Sequence, residues 1–263
     1  MNPTKIEWCH VFGPGSGFTV NPVFGCTGPR EGPCPYCYAR ERIAPRVGHL
    51  CGQYPDPNNP AHRHLDPERT LCEQFWPHPH WERLAAVEHR RKPAGIFVGS
   101  CCDLWDPNVD PRWRWRVWQT VEMCPQHVFW TLTKRPENLT ASDRRVAARN
   151  PHLWLGVTVT SAHDSHRLCT MRKQLPRERW FVSYEPLLGP VDPRTICLAD
   201  WIIVGAQTGA GARLPAAAWV HEIVTQARRY CIPVFVKDNL RAVWGDLVQQ
   251  WPEAMTVCAR RST

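Results

Sequence analysis

Seven short runs rich in β-branched and aromatic residues recur along the chain, at positions 18–25, 95–100, 128–134, 153–160, 179–185, 200–206 and 232–237. Between most of them lies a stretch long enough for a helix, and strands that alternate with helices imply parallel βαβ units. The run Trp201-Ile202-Ile203-Val204 is apolar throughout, as expected of a parallel strand covered on both faces. Two intervening stretches carry a helical stripe. In 111–124, Trp113, Val117, Val121 and Cys124 share a face, with Pro111 suited to the first turn. In 216–230, Trp219, Ile223, Ala227 and Tyr230 do the same. The rhythm breaks at 45–79, which is rich in Pro, Asp, Asn and His and reads as an insertion or lid between the first and second strands. The expected fold is α/β: a full or partial parallel β/α barrel in one domain over 1–263, with that insertion at about 45–80.

One loop stands apart from this periodicity. From Gly25 to Ala39 the chain holds Cys26, Cys34 and Cys37 at C-x7-C-x2-C, among prolines and glycines that exclude a helix or strand. Three cysteines are one short of a closed structural zinc site. The spacing therefore points to a metal centre with an open coordination position. The insertion adds Cys51, His62, His64, Cys72, His78 and His80, whose spacings match no familiar zinc pattern.

In parallel α/β folds the active site gathers at the carboxyl ends of the strands. Polar residues crowd those positions: Gly99, Ser100 and Asp103 after the second run, Thr133 and Lys134 after the third, Thr158 in the fourth, Glu185 after the fifth. Gln207 and Arg213 lie in a glycine-rich turn after the sixth, and Lys237 ends the seventh. Helix capping is the alternative for Asp103 and for Asp110. A Glu185–Lys237 ion pair is the structural alternative for those two, since neither charge is buried without a partner.

Composition narrows the partners. The formal charge of +8 and pI near 9.0 favour a polyanion, most commonly nucleic acid. Trp115 and Trp118, read as exposed beside Arg112, Arg114 and Arg116, are candidates for stacking on bases or contacting phosphates. Thirteen cysteines is an odd number, unlike a secreted disulfide scaffold. Most are expected to be reduced, with Cys124, Cys169, Cys197, Cys231 and Cys258 in the core. No apolar run reaches the roughly 18 residues a membrane helix needs, and the start Met1-Asn2-Pro3-Thr4-Lys5 is not a secretory signal, so a cytoplasmic location is expected.

Cys34-Pro35-Tyr36-Cys37 resembles the second half of the cysteine motif of radical S-adenosylmethionine enzymes. More of the chain resembles the phage-associated three-cysteine-motif proteins, a radical-SAM-like group. The stretches that carry this likeness include Lys5-Ile6-Glu7-Trp8, Asn21-Pro22-Val23-Phe24-Gly25-Cys26, Phe97-Val98-Gly99-Ser100, Leu132-Thr133-Lys134, Trp154-Leu155-Gly156-Val157-Thr158 and Ser183-Tyr184-Glu185-Pro186. The resemblance implies a radical-SAM-type barrel in which Cys26, Cys34 and Cys37 ligate three irons of a 4Fe-4S cluster. S-adenosylmethionine would bind the fourth iron and yield a 5′-deoxyadenosyl radical. Tyr36, Gly99, Ser100, Asp103, Thr133, Thr158, Glu185 and Gln207 are then expected around the cofactor. Lys134, Arg213 and Lys237 are expected to hold a carboxylate or phosphate of the substrate. The first spacing is seven residues where radical SAM enzymes usually have three; the phage-associated group shares the longer one. The expected activity is modification or rearrangement of a nucleic-acid base, with DNA the expected nucleic acid, or of a nucleotide-linked group, with an electron donor such as flavodoxin. The rival is a non-enzymatic nucleic-acid-binding protein whose cysteines hold zinc together with His10 or His49.

Overall fold

Seven of the strands are parallel and follow one another across a single sheet in the order of the sequence. The computed structural model describes residues 1–29, 34–44, 75–176, 179–209, 211–245 and 247–255. The parallel strands are β2 (Gly17–Val20), β5 (Gly95–Val98), β6 (Val128–Thr133), β7 (Leu153–Thr158), β8 (Trp180–Tyr184), β9 (Trp201–Val204) and β10 (Val234–Val236). A two-residue strand, β1 (Asn2–Pro3), adds antiparallel to β2, giving eight strands in the order β1-β2-β5-β6-β7-β8-β9-β10. Helices α1 (Glu82–Glu88), α2 (Pro111–Met123), α3 (Ala141–Arg149), α4 (His166–Gln174) and α5 (Ala217–Arg229) lie between them in sequence. Among the described residues β1 and β10 do not pair, so the sheet is open. No helix among those residues is long and apolar enough to cross a membrane.

The run 18–25 is not one strand. Pro22, which has no N–H to give a central ladder, divides it after β2, and β3 (Val23–Phe24) pairs antiparallel with β4 (His78–Pro79) in a separate two-stranded sheet.

Period-two alternation sorts the strand residues onto two faces. Ile96, Val98, Phe129, Leu155, Val157, Val182, Ile202, Val204 and Val236 join one core with helix residues such as Val117, Val121, Leu168, Ile223 and Ala227. Phe97, Trp130, Trp154, Phe181, Trp201, Ile203 and Phe235 join a second core with Trp8 and Met255. Trp8 sits in a 3-10 turn (Glu7–Cys9). Its ring centroid is 5.0 Å from Phe97, 5.6 Å from Trp130 and 6.2 Å from both Phe181 and Trp201. Strands β5 and β9 would be roughly 19 Å apart in a flat sheet at the usual strand spacing. One indole reaches both only because the sheet curls around it. The indole N–H of Trp251 donates to the Trp8 carbonyl at 2.9 Å, fixing the chain's end to its beginning.

Several expectations change here. Trp118 is buried, and its indole N–H donates to Asp143 Oδ1 at 2.8 Å; Trp115 remains exposed. Arg114 is also buried, with Nη1 on the Leu104 carbonyl at 3.0 Å, while Arg112 pairs with Asp110 and Arg116 with Glu88. Cys124 is buried as expected, but Cys169, Cys197 and Cys231 are exposed, and Cys258 lies outside the described residues. Tyr230, placed on the α5 stripe by periodicity, is exposed because the helix ends at Arg229. Cys51, His62, His64 and Cys72 of the insertion also fall outside the described residues. Asp110 is the N-cap of α2, accepting from Arg112 N at 2.8 Å.

Asp143 gathers the helical layer at one point. It completes a capping box with Thr140 at the start of α3 and accepts the indole N–H of Trp105 at 3.1 Å as well as that of Trp118. Arg114 Nε lies 3.5 Å away. Replacing Asp143 by Ala strands two buried indole donors and a buried guanidinium, so we expect a loss of about 3–5 kcal/mol in urea unfolding, with Asp143→Asn losing less.

Candidate active site at the carboxyl ends of the strands

The ends of all seven parallel strands border one cavity of about 740 Å3, within the ~300–1,000 Å3 span of small-molecule sites. Alternation decides which side chains reach it. Thr19 pairs with Phe97 and shares its inward parity; Lys134, Thr158, Ser183, Glu185 and Lys237 have the same parity one or two steps nearer the ends of their strands, and all line the cavity. Trp8, Phe97 and Leu132 contribute apolar surface to it.

One wall is sulfur-rich. Cys26, Cys34 and Cys37 line it together with Cys101 and Cys102, which follow β5. Cys34 and Cys37 share a turn closed by Cys37 N on the Cys34 carbonyl at 3.1 Å, and a π-helix (Ala39–Ile43) continues from it. The Cys26 sulfur accepts from Gly28 N at 3.3 Å, and that of Cys37 from Arg40 N at 3.4 Å. Burial pushes the thiols of Cys26, Cys37, Cys101 and Cys102 up. The three motif sulfurs share a cavity without closing on a point: among the described residues no three Cys, His, Asp or Glu side chains are grouped to hold a metal ion.

Lys134 faces this wall, its ammonium 5.6 Å from the centre of the Tyr36 ring. Burial pulls its pKa down, but the neighbouring Cys34, Tyr36, Cys26 and Asp103 outweigh that and leave it raised. Asp103 lines the cavity, yet its carboxylate is already occupied. It accepts from Thr133 Oγ1 at 2.8 Å, Lys134 N at 2.9 Å and Trp105 N at 3.0 Å. Burial, its largest influence, raises the Asp103 pKa against these donors. Asp103 and Thr133 thus fix the end of β6 and set the direction of Lys134. Ser100 is engaged as well, exchanging hydrogen bonds with the side chain of Asn21 at 3.1 and 3.3 Å.

Another part of the lining carries charge. Lys237 Nζ pairs with Glu185 Oε1 and stands 3.7 Å from Glu7 Oε2. Burial alone would lower the Lys237 pKa; the two carboxylates outweigh it, so the ammonium holds its proton above the ordinary range. The pair lies flat on Gly205, where a Cβ would come within 2.9 Å of Lys237 Cδ and 3.1 Å of Glu185 Cδ.

The structure brings Cys26, Cys34, Tyr36, Cys37, Gly99, Ser100, Asp103, Thr133, Lys134, Thr158, Glu185, Gln207 and Lys237 into the lining of one cavity. Arg213 is not part of it. That residue is exposed, and its backbone N–H donates to Gln207 Oε1 at 3.4 Å. His10 is also outside the wall. Its Nε2 bonds the Thr4 carbonyl at 3.0 Å, and its Nδ1 accepts from Gly15 N at 3.1 Å. His49 lies outside the described residues. Glu7 and Asn21 were not singled out as site residues by sequence. Asn21 had a signal, two positions beyond inward-facing Thr19; Glu7, on a three-residue turn, had no periodicity to reveal it.

Lys237→Met leaves two carboxylates at the wall without their cation. Because Glu185 is partly solvated, the expected loss is about 2 kcal/mol, below the figure for a fully buried pair. Adding Glu185→Gln should recover most of it in a double-mutant cycle read by urea unfolding; purely additive losses would mean that the pair is not coupled.

No curated protein matches the chain. The profile of the DUF5131 family, described as a protein of unknown function, matches residues 3–257. With nearly its whole length matched, the chain belongs to the DUF5131 family.

Proposed function

We propose that the protein is a radical S-adenosylmethionine enzyme that modifies or rearranges a nucleic-acid base or a nucleotide-linked group. In this reading its open sheet is a partial β/α barrel of the radical SAM type. The observation that carries the proposal is the presence of Cys26, Cys34 and Cys37 on one wall of the cavity that all seven parallel strands border.

The residues present fit an iron–sulfur cluster by their donor chemistry. Three thiols line one cavity, and two of the sulfurs already accept backbone N–H bonds. Hydrogen bonds to sulfur and local charge are established influences on cluster potential. Ligand convergence is itself part of metal binding, since a preformed site is rare without the metal. Burial pushes the thiols of Cys26 and Cys37 up, and metal loading onto thiols releases their protons.

Bound together, the cluster and S-adenosylmethionine would supply one-electron cleavage of a sulfonium bond and abstraction of a hydrogen atom. The chain's own part is different. Lys134 supplies positive charge beside the motif cysteines, and Asp103 with Thr133 holds it there. Trp8, Phe97 and Leu132 exclude water from the inner end of the cavity. Thr158, Ser183 and Gln207 offer uncharged hydrogen-bonding groups to a cofactor or substrate, while Glu185 and Lys237 give a fixed charge pair in the same cavity as the sulfurs. The +8 charge supports a nucleic-acid or nucleotide partner; an electron donor of the flavodoxin class completes the reading.

Anaerobic reconstitution with iron and sulfide, followed by metal analysis, tests this. We expect about four irons and four sulfides per chain. Cys34→Ala should abolish loading, and Cys169→Ala, on the exposed side of α4, should leave it unchanged. Stoichiometric zinc with no iron uptake would overturn the proposal in favour of a zinc-binding protein.

A further inference from the structure

We propose that Asp106 is the positioning residue for Cys26: through Thr27 it fixes the one motif cysteine that is anchored to the strand ends. The inference rests on the metal-binding reading of the three cysteines and adds a residue that the motif does not contain.

Cys26 is held from both sides. Upstream, Gly25 N donates to the Cys101 carbonyl at 3.0 Å, and Cys26 N donates to the Phe75 carbonyl at 2.8 Å. Gly25 has φ +107°, and a Cβ there would stand 2.1 Å from the Trp76 carbonyl oxygen, so only glycine fits. Downstream, Thr27 gives both its N–H and its hydroxyl to Asp106 Oδ2, each at 2.7 Å. The next N–H, that of Gly28, is the one that reaches the Cys26 sulfur. Asp106 thus fixes the peptide whose turn aims a donor at the sulfur.

Asp106 is itself over-determined. It is 1% exposed, in the turn after β5, and its Oδ1 accepts from Asn108 N at 2.9 Å and Asn108 Nδ2 at 3.0 Å. Arg135, buried at the end of β6, lies 3.6 Å from Oδ1 through Nη1 and donates to Thr27 Oγ1 through Nη2 at 3.3 Å. Four donors and a cation on one buried carboxylate make a rigid anchor. The same turn carries Asp103, which fixes Lys134. Two aspartates three residues apart therefore set Cys26 and its neighbouring cation relative to each other. Cys34 and Cys37 belong to the turn that leads into the π-helix and have no such anchor among the described residues. The outer residues that orient metal ligands have this kind of influence on affinity.

The test uses the full-length, reduced, metal-free chain titrated with Co2+, read by thiolate-to-cobalt charge-transfer absorbance. Thr27→Val keeps the side-chain shape and removes the hydroxyl; Asp106→Asn removes the charge. Both should bind Co2+ about 10–100-fold more weakly, while Thr27→Ser stays within about twofold of the native chain. Val146→Ala, on the buried face of α3, serves as a control that lowers the melting temperature without changing cobalt affinity. The proposal is overturned if Thr27→Val and Asp106→Asn bind as the native chain does, or if Val146→Ala weakens binding as much as they do. It is also overturned if the native chain gives no thiolate–cobalt band. Cobalt binding in a chain that takes up no iron and sulfide would leave Asp106 in its role and remove the radical chemistry instead.

Discussion

The contact on which the rest of the structure depends is Trp8 against the inner face of the sheet. Its ring meets Phe97 of β5 and Trp201 of β9, four strands apart. Only a curled sheet permits both contacts. Curling turns the carboxyl ends of seven strands toward a common space, and without it the inward residues at those ends would be spread along an edge. A 3-10 turn near the chain's beginning, tied to Trp251 near its end, thereby determines whether there is a site at all. Large aromatic burial suits that task, since each ring brings a wide apolar area and tolerates tilted packing.

Above this apolar floor the cavity is divided by charge and chemistry. Sulfur gathers beside Lys134, while Glu185, Lys237 and Glu7 form a second group in the same cavity. Each group is stiffened from behind by residues that do not themselves offer free groups. Asp103 and Asp106 spend their carboxylates on backbone N–H and hydroxyl donors, and the flat contact on Gly205 holds the Glu185–Lys237 pair. Such second-rank support is what keeps a reactive site in register.

Much of this was legible in the sequence, for reasons that can be named. β-Branched and aromatic runs marked the parallel strands, and two-residue periodicity makes Phe181, Ser183 and Glu185 neighbours on one face. The C-x7-C-x2-C spacing put three cysteines in one loop. What was not legible depends on long-range partners. Trp118 shares a helix with exposed Trp115, and only Asp143, 25 residues on, explains why one indole is buried. Periodicity placed Tyr230 in the core, but the helix ends before it. Asp103 resembles a cap or a ligand in sequence; its hydroxyl partner Thr133 is 30 residues away. Cys169, Cys197 and Cys231 are small apolar residues in apolar surroundings along the chain, and burial of that type is a statistical habit that these three break.

We propose that the sulfur wall and the cavity together perform reductive chemistry on S-adenosylmethionine. The most direct measurement is the yield of 5′-deoxyadenosine when cluster-loaded protein is reduced with dithionite in the presence of S-adenosylmethionine. 5′-Deoxyadenosine should form with the native chain and not with Cys26→Ala, Cys34→Ala or Cys37→Ala. A loaded native chain that leaves S-adenosylmethionine intact under those conditions would contradict it.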